Sequence, residues 1–229
     1  MKRLISDHGI LFAAKRRKAK IGIVHSMPSV VQHAFSGSFN TYFKGAYELL
    51  RNTGYILDAV ADKDLQKKGK DYEMLVLPSD CILDEDGLQF LDAYVKNEGK
   101  LLAFSRALSS DVYNNPIPVP SVLGIKQRRE PFGKRENVSL ITFHQGYQRY
   151  FEGNIHVHGA EMFDVVEGRE ILPGQSGKEE IAGEVIAYSC DSQAIIVRTN
   201  GGRVFYCGFD SIYSGELRAV IEGIMVQGF

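Results

Sequence analysis

The sequence predicts an α/β fold, a three-layer sandwich in which helices cover both faces of a mostly parallel sheet. Between residues 20 and 107, short apolar runs alternate with longer segments of helical periodicity. This alternation is typical of parallel strands joined by helices. From residue 138 onward the apolar runs are short and closely spaced, which predicts an antiparallel extension of the sheet. An amphipathic segment at residues 216–226 predicts a closing helix.

Four strands and two helices are predicted in the first half. The strands fall at residues 20–25, 55–60, 73–77 and 100–104. The first helix is predicted at residues 39–53, with Ser38 as its N-cap and Gly54 as a left-handed C-cap. The second helix begins at the acidic residues 84–86, which suit the positive end of a helix dipole, and ends at residues 97–99.

The second half opens with a segment that cannot be a central strand. Three prolines fall within residues 116–120, where they remove backbone donors and hold the chain extended. A short helical turn is predicted at residues 121–125. Strands are then predicted at residues 138–143, 161–166, 184–188, 194–199 and 203–209. Between the last two strands, Asn200-Gly201-Gly202 predicts a tight two-residue hairpin turn, because Asn-Gly supplies the positive φ that such a turn needs.

Composition limits the class of protein. Of 229 residues, 44% are hydrophobic and the net charge is −1, which is typical of a globular domain and argues against a nucleic-acid partner. No apolar run approaches the roughly 18 residues that a membrane span requires. Cys81, Cys190 and Cys207 are too widely spaced for a disulfide framework or a zinc motif, so we expect buried thiols in a cytoplasmic protein. Residues 1–19 are interpreted as a basic lead-in, and residues 20–229 as the domain.

Polar side chains follow several predicted strands, at the edge where open α/β sheets bind ligands. They are Ser26, Ser79, Asp80, Ser105 and Arg106. We interpret Ser79, Asp80, Ser105 and Arg106 as candidate ligand-binding residues. The Arg106 guanidinium either holds a carboxylate or sugar hydroxyls, or forms a structural salt bridge to a loop carboxylate such as Asp111. No glycine lies within two residues of Ser105, so the strained turn that presents a nucleophile is not expected there.

Two further polar segments have competing interpretations. His156 and His158 share a face if their segment is extended, and with His144 and Glu161 they form a conceivable transition-metal site. A polar hairpin edge is the alternative that we favour, so neither a metal nor a cofactor is predicted. The Ser-Gly-Ser stretch at residues 36–38 lacks a P-loop lysine, which argues against a phosphate cradle.

Aromatic residues predict a subunit interface, since such surfaces are enriched in aromatic side chains. Phe35 and Tyr42 are candidates in the first half. The preferred candidate is the run at residues 147–151, whose aromatic members are Tyr147, Tyr150 and Phe151.

Several of these segments, taken in order, resemble a known fold. They are IGIVH, YFKGAYELLRNTGYILDAV, DYEMLVLPSD, LDEDGLQFLDAYVKNEGKLLAFSRA, PSVLGI and NGGRVFYCGFD with the closing helix. The chain resembles the class I glutamine-amidotransferase-like superfamily, and most closely the trimerisation domain of glycoside hydrolase family 42 β-galactosidases. The resemblance covers about residues 20 to 226 and implies a flavodoxin-like strand order.

The resemblance implies an accessory role. In those relatives the domain follows a catalytic (β/α)8 barrel and builds subunit contacts, while the barrel supplies both catalytic carboxylates. We therefore expect a homo-oligomer, trimeric or dimeric, or a partnership with a glycoside hydrolase catalytic domain, with carbohydrate as a conceivable ligand. No membrane partner is expected.

Two other functions remain open at this stage. Class I amidotransferases use a Cys-His-Glu triad, and Ser105 stands where the resemblance places the cysteine, with His156 and His158 as candidate bases. No His-x-Glu pair follows, so the triad would be incomplete. A ThuA-like hydrolase, or a sugar- or small-molecule-binding module that uses the strand-end cleft, is the other alternative.

Overall fold

The first half of the chain builds the parallel part of the sheet. The computed structural model describes residues 19–51, 53–129, 139–143, 155–157, 162–165, 183–188 and 194–228. The first four strands lie in the order β2-β1-β3-β4, all parallel, as a flavodoxin-like fold requires. They are β1 (Ile21–His25), β2 (Leu57–Ala61), β3 (Met74–Leu77) and β4 (Lys100–Phe104).

The second half extends this sheet with antiparallel strands. These strands are β5 (Ile125–Arg129), β6 (Ser139–Phe143), β7 (Ile155–Val157), β8 (Met162–Val165), β9 (Glu184–Tyr188), β10 (Ala194–Thr199) and β11 (Val204–Cys207). Strand β11 pairs parallel with β4 on one side and antiparallel with β10 on the other, so the sheet changes direction there. The path continues β10-β9-β6-β7, while β8 joins β10 to β5. The α/β fold class with an antiparallel extension is confirmed.

Five α-helices lie in the described part of the chain. They are α1 (Met27–Gln32), α2 (Ser38–Leu50), α3 (Leu65–Lys68), α4 (Glu85–Lys96) and α5 (Gly215–Gly228). Helix α4 starts where the sequence predicts, because the Asp84 carboxylate accepts from the Gly87 N–H at 2.8 Å and the first turn is acidic. None of the helices described is long and apolar enough to span a bilayer.

The helices divide into two layers. One core packs α2 and α5 on one face of the sheet through Leu49, Val220 and Ile221. The other core covers the opposite face with α4 and with Leu65 of α3, around strand residues such as Leu75. This arrangement is the predicted three-layer sandwich. Cys81 and Cys207 are fully buried in these cores and carry free thiols, as predicted; Cys190 lies outside the described residues.

Three local predictions are wrong. Ser38 is the first residue of α2, whose N-cap is Gly37 with φ 65°. The C-cap of α2 is Arg51, and Gly54, with φ 81°, lies in the turn beyond it. The hairpin between β10 and β11 has a four-residue connection, because Thr199 pairs with Val204 and a 3-10 turn, Asn200–Gly202, intervenes.

Sequence periodicity also misses α1, which is only six residues long. Ser26 makes it possible: its hydroxyl accepts from the Ser29 N–H at 3.1 Å, and Pro28 occupies the first turn. Among the strands, β5 and β7 are not predicted either. The predicted basic lead-in lies almost wholly outside the described residues.

Candidate functional site

Three charged side chains meet at the carboxyl ends of β3, β4 and β11. Arg106 Nε donates to Asp80 Oδ1 at 2.6 Å, and Nη2 donates to Asp80 Oδ2 at 3.3 Å and to Asp210 Oδ1 at 2.7 Å. The side chains of Arg106, Asp80 and Asp210 are only 20%, 13% and 10% exposed. We call these residues, with Ser105 and Tyr42, the Arg106 cluster.

The Arg106 salt bridge that the sequence allows therefore exists, but its expected partner is wrong. Asp111 accepts instead from the Tyr113 and Asn115 N–H groups at 2.9 and 2.8 Å, and so organises its own loop. The partners of Arg106 come from neighbouring strand ends, which sequence distance does not reveal.

The backbone around this ion pair is strained. Asp80 and Arg106 both have φ 57°, a left-handed conformation that non-glycine residues rarely adopt. The Asp80 N–H donates to the Ser105 carbonyl at 3.2 Å, which links the two turns. The expectation that a chain without glycine would not form a strained bend after β4 is wrong. The left-handed residue of that bend is Arg106, so the turn presents a guanidinium.

Ser105 is fully buried beside Arg106. Its Oγ donates to Asp210 Oδ1 at 2.6 Å, and its N–H donates to the Phe209 carbonyl at 3.2 Å. In a Ser-His-Asp triad the serine donates to an imidazole instead. Of the candidate bases, the side chain of His156 and all of His158 lie outside the described residues, as do His144 and Glu161.

The two histidines of the first half that the structure describes have other contacts. His25 packs edge-on against Phe43, with 5.0 Å between ring centroids, and against Phe39 at 6.0 Å. His33 Nδ1 lies 3.0 Å from Ser38 Oγ at the start of α2. The described geometry thus gives Ser105 a carboxylate partner and places both of these rings elsewhere.

Tyr42 connects the cluster to α2. Arg106 Nη2 donates to the Tyr42 hydroxyl at 3.4 Å, and the guanidinium carbon lies 5.8 Å from the ring centroid. Burial, together with the negative charge of Asp210, raises the pKa of the Tyr42 hydroxyl above its ordinary value. Tyr42, predicted as an interface residue, is thus half-buried against the ion pairs.

The cluster is charge-unbalanced. Burial alone would lower the pKa of Arg106, but the hydrogen bonds and charge of Asp80, with the charge of Asp210, more than offset it and raise that pKa. The guanidinium is therefore permanently charged and faces two carboxylates. Counted formally, the three described side chains, one cation and two carboxylates, sum to a charge of −1, which favours hydroxyl groups or a cation over an anionic ligand.

Two serines, Ser79 and Ser211, join the loops behind the ion pairs by reciprocal hydrogen bonds. The Ser79 N–H donates to Ser211 Oγ at 3.0 Å, and the Ser211 N–H donates to Ser79 Oγ at 2.8 Å. Ser211 Oγ also donates to the Tyr42 carbonyl at 3.0 Å. Ser79, predicted as a ligand contact, is fully buried in this reciprocal pair.

Sequence reasoning missed Asp210 and Ser211. They directly follow the Gly208-Phe209 turn after β11, and that strand belongs to the parallel ladder although its other neighbour is antiparallel. Since the sequence predicts this strand as half of a hairpin, its carboxyl end is not expected beside the ends of β3 and β4. The short Phe-Asp-Ser segment after an apolar strand is the signal that could have found them.

Tyr147, Tyr150 and Phe151 lie outside the described residues. Within the part of the chain that the structure describes, no group of three histidine, cysteine or acidic side chains is arranged to hold a metal ion.

No protein-family model and no curated protein matches the sequence. Solved structures do match the fold. The β-galactosidase from the psychrophilic Marinomonas ef1 aligns with 99% of this chain at 16% identity and a TM-score of 0.66. Gan42B, a GH42 β-galactosidase from G. stearothermophilus, aligns with 99% of this chain at 12% identity and a TM-score of 0.71. In both, the match covers 32% of the β-galactosidase chain.

The chain thus spans about a third of the length of these β-galactosidases. A ThuA-like protein from Bacteroides uniformis matches with a TM-score of 0.55 and 15% identity, and there the match covers 93% of each chain. At such identities the likeness is one of fold. The resemblance to GH42 β-galactosidases that the sequence suggests is confirmed at that level.

Proposed function

We propose that this chain is a non-catalytic accessory and oligomerisation domain of a β-galactosidase-type glycoside hydrolase. One observation carries the proposal: Ser105, at the position implied for a nucleophile, is buried and donates its hydroxyl proton to Asp210 within an ion-pair cluster. Such a hydroxyl has neither an adjacent imidazole nor a substrate-facing position among the described residues, so it is poorly suited to nucleophilic catalysis.

The fold likeness supports the same role. In the two β-galactosidases compared above, the matching segment is about a third of a longer chain. Glycoside hydrolysis needs a pair of carboxyl groups on either side of the sugar. Here the two carboxylates at the strand ends share one largely buried guanidinium, which ties them to the fold. The cytoplasm is the proposed compartment, since the buried free thiols of Cys81 and Cys207 suit a reducing environment.

The test compares the wild-type chain with Ser105→Ala. We expect neither protein to hydrolyse a chromogenic galactoside or glutamine, and both to self-associate equally in sedimentation velocity. Hydrolysis by the wild type that disappears in Ser105→Ala would contradict the non-catalytic role. A wild type that remains monomeric at every concentration would contradict the oligomerisation role.

A second function is supported by the strained backbone of Asp80 and Arg106. Strain of this kind is concentrated at functional sites, where the surrounding structure must compensate for it. The ThuA-like protein adds that this fold can make up nearly all of a chain. The second candidate is therefore a small-molecule-binding module whose site is the Arg106 cluster.

The same preparations test this second candidate. The net negative charge of the cluster predicts saturable thermal stabilisation by a neutral sugar such as galactose and none by galacturonate. An Asp210→Asn variant keeps the size of the side chain and should lose the response to galactose. Equal responses in the wild type and the variant would reject the cluster as the site.

A further inference from the structure

An apolar groove lies on the same carboxyl edge of the sheet, between α1 and the loop after β4. Met27, Pro28 and Val31 of α1 line one wall and Val112 lines the other, around a volume of about 330 Å³. Asp62, Lys63 and Asp84 border it. We call this feature the α1 groove.

The side chains at and beside the α1 groove are unusually exposed for their size. Val31 is 69% exposed and Met27 is 45% exposed, while Val112 is 37% exposed. Phe35, which follows α1 in the chain, is fully exposed, and Tyr113, next to Val112, is 84% exposed. Single exposed apolar residues are ordinary, but a contiguous group of them marks an interaction surface.

Both walls of the groove are held in place by internal hydrogen bonds. Gln32 Nε2 donates to the Asp111 carbonyl at 3.0 Å, which joins the end of α1 to the loop. The Asp111 N–H donates to the Asn115 carbonyl at 2.9 Å, and the carboxylate of Asp111 accepts from two further N–H groups of the same loop. A surface that is already ordered loses little conformational entropy on binding.

The groove is poorly equipped to hold a polar small molecule. The Asp62 carboxylate accepts from the Met27 N–H at 3.2 Å and from the Lys63 N–H at 2.9 Å. The Asp84 carboxylate caps α4. Both acids therefore accept hydrogen bonds from the local backbone, and the lining between them is apolar.

We propose that the α1 groove binds the same face of a second copy of this chain. Three features favour this occupant. The exposed aromatic side chains of Phe35 and Tyr113 stand within a few residues of the groove lining, so two copies related by a two-fold axis can each insert an aromatic ring into the groove of the other. The border carries both signs of charge, on Lys63 and on the acids Asp62 and Asp84, so Lys63 of one copy can pair with an acid of the other. The net charge of −1 gives two copies little mutual repulsion.

This inference rests on the proposed oligomerisation role and assigns it a surface in the first half of the chain, away from residues 147–151. The test is sedimentation velocity of the whole chain over a wide range of concentration, for the wild type, Val31→Asp and Tyr113→Asp. The matched control is Ile56→Asp, because Ile56 is 44% exposed and lies before β2, outside the groove.

We expect the wild type to form dimers or larger assemblies that Ile56→Asp retains. Each groove variant should weaken the association about tenfold or more, the effect of losing an anchoring side chain at an interface. Far-UV circular dichroism should be the same in all four proteins, since the substituted side chains are on the surface.

The outcomes separate the inference from the function on which it depends. Wild-type self-association that both groove variants retain overturns the groove assignment and leaves the oligomerisation role standing. A monomeric wild type overturns both. A monomer whose groove captures a hydrolase catalytic domain also overturns the proposal that a second copy is the occupant.

Discussion

The Arg106 cluster and the α1 groove lie at the same edge of one sheet but differ in which side chains they expose to solvent. In the cluster, charged groups are largely buried and each is paired with a neighbour from a different strand end. In the groove, apolar side chains remain exposed although their backbone is firmly held. Buried charge requires internal partners, while exposed apolar surface gains from external ones. The cluster therefore stabilises the folded chain itself, and the groove is suited to binding a second copy.

The largest effect that would test this contrast is expected from Arg106→Met. The substitution leaves the largely buried carboxylates of Asp80 and Asp210 without the Arg106 cation. Breaking a buried ion pair by removing one partner typically costs about 3–5 kcal/mol, and we expect a loss of this order in the free energy of unfolding. Urea denaturation followed by circular dichroism measures it.

Two controls keep this result specific. Lys96→Met removes an exposed i,i+4 ion pair with Asp92 and should barely move the denaturation midpoint. Val31→Asp, in the α1 groove, should change the free energy of unfolding by no more than about 0.5 kcal/mol when measured on the monomer. If Arg106→Met lowered the free energy of unfolding as little as these two variants do, the cluster would not contribute to the stability of the fold. It would then not differ from the groove in this respect.

A smaller effect is expected where α2 packs against the loop that carries Asp210. A Cβ atom at Gly45 would collide with the Ser211 carbonyl oxygen and come within 3.0 Å of Ile212 Cα. Because these are backbone atoms, Gly45→Ala must push α2 away from the cluster, and overpacking of this kind costs about 1–3 kcal/mol.

The control for this change is Gly215→Ala at the start of α5, where an added Cβ meets open space. Alanine is the better helix former, so this variant should lose no stability. Thermal unfolding compares the two. Equal melting temperatures for Gly45→Ala and Gly215→Ala would mean that the close approach of α2 to residue 211 is not needed.

The two regions also differ in how far the sequence predicts them. Periodicity locates β4 to the residue and α4 to within three residues, because buried strands and amphipathic helices impose local patterns. It identifies Asp80 and Arg106 as strand-end groups. It cannot pair them with Asp210, which lies 104 residues after Arg106. It also misjudges the bend at Arg106, since left-handed backbone at a non-glycine residue depends on tertiary contacts.

The sequence does not predict the α1 groove, for a different reason. Helix α1 is too short for its periodicity to be recognised, and its existence depends on the Ser26 cap and on the hydrogen bond from Ser29 Oγ to Ser26 Oγ at 2.8 Å. Phe35, which the sequence predicts as an interface candidate, is fully exposed. The wall opposite α1 comes from the loop at residues 111–115, and only folding brings the two segments together.

The smallest effect that bears on the contrast is the titration of Tyr42. Burial and the charge of Asp210 raise its pKa above the ordinary value of 10.0, while the charge of Arg106 opposes the shift. The native state therefore holds the phenol proton more tightly than the unfolded chain does. The stability that this provides is complete below pH 10 and is lost as the pH rises through the native pKa of Tyr42.

Asp210→Asn removes one cause of the shift, so its Tyr42 should ionise at lower pH than in the wild type. Ultraviolet difference titration, with Tyr42→Phe to assign the signal, measures this. An unchanged Tyr42 pKa in Asp210→Asn would mean that the phenol does not sense the cluster's excess negative charge, and would weaken the case for a neutral ligand there.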